Sequence, residues 1–415
     1  MSLNSDHRAA FAKLSKLRAG ALFMKMGTGK TKVACDLVRD KLAYIDAVIW
    51  IAPACLVNSE IYLDEIRKWG SDFFPITKFF SVEGISKSDA KYFKMRRLAE
   101  SSRNYCVVDE SIYIKNASAL RTRRLMADCS LFDFRLILNG TPVTRSLLDL
   151  YSQMSFLSPK ILNMTERQFA DKFLVYMRGA GMGERPWAKW SKPANVEALA
   201  EIIRPYVFGS PFDYPCSVRE HNIFFALDCA ERARYSEYKE RFLFGKRFVN
   251  FLAVAQKFQM AYTVGCKEKF SRALSIVDEA LARGEKVVVF VKYAVEARML
   301  GDALGAVVYT GRRKDDLAEF FDTAGVLVCT YGVGSCGLNL QCANNVIFFS
   351  QTFDYKDKEQ AKHRICRTGQ SRQVNVYDMW VKTGLEKMIK DSLERKEHLL
   401  HSVDRIITAE KARKL

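Results

Sequence analysis

The sequence predicts an α/β protein made of two parallel-sheet units with a mainly helical stretch between them. Short, almost wholly apolar runs alternate with helical patterns in the first third of the chain. The same alternation returns after Cys266, and the strand signal fades from about Pro159 in between. Runs that are apolar along their whole length belong to strands covered on both faces, the condition of a parallel sheet flanked by helices. On this reading 1–158 is the first α/β unit, 159–265 a helical insertion, 266–384 the second α/β unit and 385–415 a helical brace.

The first strand, Ala21-Leu22-Phe23-Met24, runs through Lys25 and Met26 into Gly27-Thr28-Gly29-Lys30-Thr31, and an amphipathic helix leaves that turn at 32–38. Phosphate binding requires such a layout. Gly27 and Gly29 let the backbone curl so that successive N–H groups point at phosphate oxygens, and the helix adds the positive end of its dipole. Lys30 supplies a point charge for the β- and γ-phosphates, and the Thr31 hydroxyl can ligate Mg²⁺. The full P-loop pattern has a Gly five residues before Gly29, where this chain has Met24, so the match is to the short form.

Further strands are expected at 47–52, 105–108 and 135–138. Long helical patterns follow, interrupted at 177–193 by a Gly-rich extended loop holding Trp187 and Trp190. The second unit takes strands at 286–291, 325–329, 345–349 and 374–377 and has no P-loop of its own. The last segment, 385–415, is a charged helical pattern without Pro or Gly.

A chain of 415 residues, 49% hydrophobic and 27% charged, has the composition of a soluble globular protein of two or three domains. Its longest apolar runs fall well short of the ~20 residues that span a bilayer. The first residues carry scattered charge and no apolar core, so no secretory signal or membrane attachment is expected and the cytoplasm is the expected location, with the nucleus also open. Eleven cysteines stand singly with no Cys-x-x-Cys pair, the pattern of reduced core thiols. His398 and His401 are spaced to share a helix face but lack further ligands, which excludes a zinc site on that pattern. Lys and Arg number 65 against 47 Asp and Glu, a formal charge of +18 that favours a polyanionic partner, nucleic acid above all.

Three further constellations carry chemistry. Asp109-Glu110 closes an apolar strand, where Asp109 can hold Mg²⁺ through water and Glu110 can orient and deprotonate an attacking water. Gly140-Thr141-Pro142 ends the next strand and is placed to sense the γ-phosphate, unless it is an ordinary turn. Arg364 and Arg367 are three apart, as if on one helix face, and could stabilise charge on a transferring phosphoryl, unless that helix is simply a solvated basic one.

Taken together these residues resemble a known family. Asp109-Glu110-Ser111-Ile112-Tyr113-Ile114-Lys115-Asn116 is similar to the Asp-Glu-Ala-His-x-Ile-Lys-Asn box of the Swi/Snf-type DNA translocases of helicase superfamily two. Leu138-Asn139-Gly140-Thr141-Pro142-Val143 resembles the third motif, and Gly337-Leu338-Asn339-Leu340-Gln341 the fifth. Gln360-Ala361, Arg364, Arg367 and Gly369-Gln370 resemble the sixth, with the Gly-Gln ending of this branch. Ile51-Ala52-Pro53 is similar to motif Ia. The resemblance implies two RecA-like lobes with ATP and Mg²⁺ between them, gripping DNA mainly through its phosphates. It implies catalytic roles for Glu110, Gln360, Arg364 and Arg367, coupling by Gly140 and Thr141, and DNA contacts near Pro53 and Ser335. The chain departs from the pattern at Ile112, where the box has His, and no Gln precedes the P-loop to read adenine. A translocase on duplex or branched DNA is the expectation. A strand-separating or branch-migrating helicase and a nucleotide-gated DNA clamp that does not hydrolyse ATP are the alternatives.

Overall fold

Alternate residues of the central strands bury themselves on opposite faces of a sheet. In Ala47–Ala52, Val48, Trp50 and Ala52 pack into one apolar cluster and Ile49 and Ile51 into another, and none of the five retains exposed surface. Burial on both faces is worth roughly 2 kcal/mol for each large side chain, which is why the run has no polar alternation. The computed structural model describes residues 5–25, 27–144, 146–177, 187–190, 193–210, 216–244, 251–311, 313, 315–323, 325–334, 338–367 and 369–408.

In chain order the strands are β1 (Ala19–Met24), β2 (Ala47–Ala52), β3 (Thr77–Ser81), β4 (Asn104–Val108), β5 (Phe134–Asn139), β6 (Val175–Met177), β7 (Trp187–Trp190), β8 (Val207–Ser210), β9 (Val218–Phe225), β10 (Val287–Val291), β11 (Val307–Tyr309), β12 (Val326–Thr330), β13 (Asn345–Phe348) and β14 (Val374–Val381). All but β6 and β7 build two six-stranded sheets in the orders β3-β2-β4-β5-β1-β8 and β11-β12-β10-β13-β14-β9. Every pairing in both sheets is parallel. The chain divides into two compact units, Met1–Asp213 with Lys396–Leu415, and Tyr214–Arg395. Two parallel sheets with crossover helices are the RecA-like pair that the sequence predicts.

The stretch expected as a helical insertion, 159–265, holds sheet strands as well. β8 joins the first sheet beside β1, and β9 joins the second beside β14. Neither has a core strand's pattern: β8 has four residues, and β9 reads Val-Arg-Glu-His-Asn-Ile-Phe-Phe because it is an edge with one side facing water. Helices Glu166–Phe173, Pro193–Ile203, Cys229–Phe244 and Phe251–Gly265 account for the helical character between and beyond them. Where an extended loop was expected, β6 and β7 pair antiparallel, and the residues between them lie outside those described. The final helix, Gly384–Thr408, covers most of the segment expected to be helical.

The sheet order positions the chemistry. In the first sheet β4, β5 and β1 are neighbours, so their carboxyl ends bring Asp109-Glu110, Gly140-Thr141 and Gly27–Thr31 out side by side. Open parallel sheets hold ligands outside the carboxyl ends of their strands.

Candidate active site

Beyond β1 the backbone enters the left-handed region twice, at Gly27 (φ 79°) and Gly29 (φ 83°), and the helix Lys30–Arg39 starts from Gly29. Val33, Ala34, Leu37 and Val38 bury that helix against the sheet, which fixes the direction in which its N-terminus points. Thr28 Oγ1 donates to the Lys25 carbonyl at 2.6 Å and closes the turn. His7, from the helix Ser5–Leu14, donates through Nε2 to the Thr28 carbonyl at 2.6 Å. Its ring fills the space a Cβ at Gly29 would occupy, coming within 2.6 Å of that position. Gly27, Thr28, Gly29, Lys30 and Thr31 thus form a preset loop, with Lys30 and Thr31 partly exposed in the first helical turn.

Asp109 follows β4 and is 7% exposed. Both of its oxygens are held: Oδ1 accepts from the Glu110 N–H at 2.8 Å and Oδ2 from the Tyr62 hydroxyl at 2.5 Å. Trp50 Nε1 donates in turn to the Tyr62 hydroxyl at 2.9 Å. Burial, and then the charge of Glu110, push the Asp109 carboxyl up to about 6, against the opposing pull of the Tyr62 hydrogen bond and of Lys30. Lys30 is therefore near enough for its charge to act on Asp109, which joins the P-loop and the acidic box in one site. Glu110 sits at φ 53°, a left-handed conformation that few side-chain-bearing residues adopt and that turns the chain sharply after the strand.

The raised carboxyl has a consequence for the nucleotide-free protein. The folded state binds a proton at Asp109 up to about pH 6 and the unfolded chain only to its ordinary 3.8, so stability falls as pH rises through that window and stays low above it. Asp109→Asn cannot ionise. In EDTA it is expected to raise the melting temperature by several degrees at pH 7.5, with the gain vanishing below about pH 4. An unchanged or lower melting temperature at pH 7.5 would contradict this account.

After β5 the Gly140-Thr141-Pro142 turn is buried, with the Thr141 N–H donating to Asn139 Oδ1 at 3.0 Å. Pro53, expected to contact DNA, is buried at the end of β2, where its carbonyl accepts from Leu56 and Val57. Its ring is thus not a contact surface. Ser335 lies outside the described residues. Sequence reasoning missed Tyr62, Trp50 and His7. The only available signal was a Trp within a strand and a His seven residues from the start, too common to single out.

In the second unit the helix Tyr355–Ile365 carries Gln360, which is partly buried, and Arg364, 8% exposed in its last turn. The helix ends there: Cys366 caps it at ψ 72°, and Arg367 lies beyond, partly exposed. Arg364 and Arg367 therefore do not share a helix face, contrary to what their spacing predicts. The Gly-Gln ending has a physical reason. Gln370 Nε2 donates to the carbonyls of Gln341 at 3.0 Å and Ala343 at 2.8 Å, and Gly369 (φ 106°) leaves room for the Gln341 side chain. The Leu340 N–H donates to the Arg364 carbonyl at 3.0 Å, so the fifth and sixth motifs are laced together.

Residues 76–214 match the model of the SNF2-related domain, and residues 268–372 match that of the helicase conserved C-terminal domain. The chain carries a SNF2-related domain followed by a helicase conserved C-terminal domain. The P-loop of this SNF2-related chain lies ahead of the first match, so its assignment stands on the turn and helix described above. An uncharacterized ATP-dependent helicase of Mycoplasma genitalium is 22% identical over 92% of this chain and 40% of its own length. The DNA excision repair protein CSB of Oryza sativa is 24% identical over 71% of this chain and 28% of its own. The chain thus spans less than half the length of these relatives. A solved SWI2/SNF2 ATPase core of Sulfolobus solfataricus in complex with dsDNA is 22% identical, covering 100% of this chain and 97% of that one, with a TM-score of 0.43, too loose a likeness to carry an argument. Among the described residues no helix is long and apolar enough to cross a membrane.

Proposed function

We propose that this SNF2-related chain is a DNA-stimulated ATPase motor that translocates on duplex or branched DNA. One observation carries the reading: the P-loop, the acidic box and the Gly-Thr turn stand at the carboxyl ends of three adjacent strands of one parallel sheet. In this reading Lys30 and the loop N–H groups of Gly27–Thr31 bind the triphosphate. Mg²⁺ prefers hard oxygen ligands and keeps several waters and a substrate phosphate, so one carboxylate with one hydroxyl suits it, and Asp109 and Thr31 would hold it. When bound, the metal neutralises charge on the phosphates. Glu110 orients the attacking water and takes its proton, while Gln360, Arg364 and Arg367 act on the transferring phosphoryl. Gly140 and Thr141 report the nucleotide state to the rest of the motor.

The DNA contacts, Ser335 among them, are proposed to be mainly to phosphate, which the formal charge of +18 supports. Phosphate release measured without DNA and with duplex, single-stranded and forked DNA tests the reading. Stimulation by duplex or forked DNA that declines steeply between about 50 and 200 mM salt is expected. Turnover indifferent to every DNA, or none at all, overturns it. Stimulation by single strands alone would favour the strand-separating alternative.

A further inference from the structure

The acidic box has Ile112, an apolar side chain buried at 4% exposure, where the box it resembles has a polar His. A polar link stands one residue earlier. Ser111 Oγ donates to Gln153 Oε1 at 2.7 Å, and Asn139 Nδ2 donates to Ser111 Oγ at 3.3 Å and to Gln153 Oε1 at 3.1 Å. Asn139 Oδ1 accepts from the Thr141 N–H at 3.0 Å. Gln153 Nε2 donates to the carbonyls of Pro142 at 2.9 Å and Asp149 at 2.6 Å. Ser111, Asn139 and Gln153 are each 0% exposed. Gln153 belongs to the helix Leu148–Leu157, so one carboxamide ties the acidic box by its oxygen and the Gly-Thr-Pro turn by its nitrogen.

Satisfaction is complete. Both Gln153 N–H donors and both oxygen lone-pair directions are used, the Ser111 hydroxyl donates and accepts, and Asn139 uses its amide at both ends. A second route runs beside it. Lys115 Nζ donates to Thr144 Oγ1 at 2.5 Å, Thr144 donates to Asp149 Oδ2 through N at 2.8 Å and through Oγ1 at 2.9 Å, and Ser152 Oγ donates to the Lys115 carbonyl at 3.0 Å. A buried, fully paired network does not deform gradually. Shifting one member by a bond length leaves buried polar groups unpaired, so such a network moves between discrete arrangements or not at all. That property suits an element that passes a change at Ser111 to Thr141.

We propose that Ser111, Asn139 and Gln153 form the coupling link between the acidic box and the Gly140-Thr141 turn. They are positioning residues that touch neither nucleotide nor DNA, and the inference rests on the chain being a DNA-stimulated ATPase. The test uses the full chain with Ser111→Ala, Gln153→Met and the double variant, reading phosphate release with and without duplex DNA. Basal turnover within about twofold of the parent and a DNA stimulation ratio lowered about tenfold are expected. The double variant should lose no more of the ratio than the worse single one, because both cut the same link. Met154→Leu, on the same helix and equally buried, should lower the melting temperature without changing the ratio. Ser111→Ala removes a single oxygen and carries the test should Gln153→Met not fold. A parent protein without DNA stimulation refutes the motor reading. A stimulated parent whose Ser111→Ala and Gln153→Met variants keep its ratio, or whose Met154→Leu variant loses it equally, refutes the link alone.

Discussion

Glu110→Gln is expected to abolish ATP turnover while leaving ATP binding measurable. The exchange is nearly isosteric, so the left-handed backbone at φ 53° costs glutamine what it costs glutamate, and the turn after β4 survives. What disappears is a carboxylate able to accept a proton from water, a loss worth about a thousandfold or more. Binding rests on other groups: the loop held by the Thr28–Lys25 and His7–Thr28 hydrogen bonds, and Lys30 at the start of its helix. Asp109 also keeps its place, because Tyr62 and the Glu110 N–H hold it, and neither partner involves the Glu110 side chain. Phosphate release and equilibrium binding of a fluorescent ATP analogue, run on one preparation, separate the two effects. Turnover near the parent level would remove Glu110 from the chemistry. Loss of binding together with turnover would mean that its charge shapes the pocket instead.

The central strands were legible because burial on both faces leaves one solution for their composition. The runs at 47–52, 105–108 and 135–138 read as strands for the same reason that Trp50 and Ile137 have no exposed surface. β8 and β9 were not legible: an edge strand has one neighbour and one wet side, and Arg219, Glu220 and Asn222 suit water there. The P-loop turn, the acidic pair and the Gly-Thr-Pro turn were legible because each follows an apolar strand whose run marks the place. Their supports were not. Tyr62 reaches Asp109 across 47 residues and Gln153 reaches Ser111 across 42, separations over which spacing carries no information. Gln153 did leave one trace, a carboxamide in the middle of the apolar helix Leu148–Leu157, where a buried amide must find partners.

Arg367→Ala is expected to slow hydrolysis by about a thousandfold with little change in ATP binding, the signature of a group that acts on charge appearing in the transition state. Its position past the helix end makes the variant informative. The helix Tyr355–Ile365 closes at Cys366, and Gln370 holds the chain beyond against the carbonyls of Gln341 and Ala343, a contact that does not involve the Arg367 guanidinium. Arg364 differs: it is nearly buried within the helix, and Arg364→Ala confounds chemistry with packing. The melting temperature of Arg367→Ala should therefore match the parent's. Arg367→Lys should recover little, because an ammonium lacks the planar fork that meets two phosphoryl oxygens at once. Retention of near-full turnover in Arg367→Ala would take that residue out of catalysis. A raised KM with unchanged kcat would reassign it to holding the ground-state nucleotide.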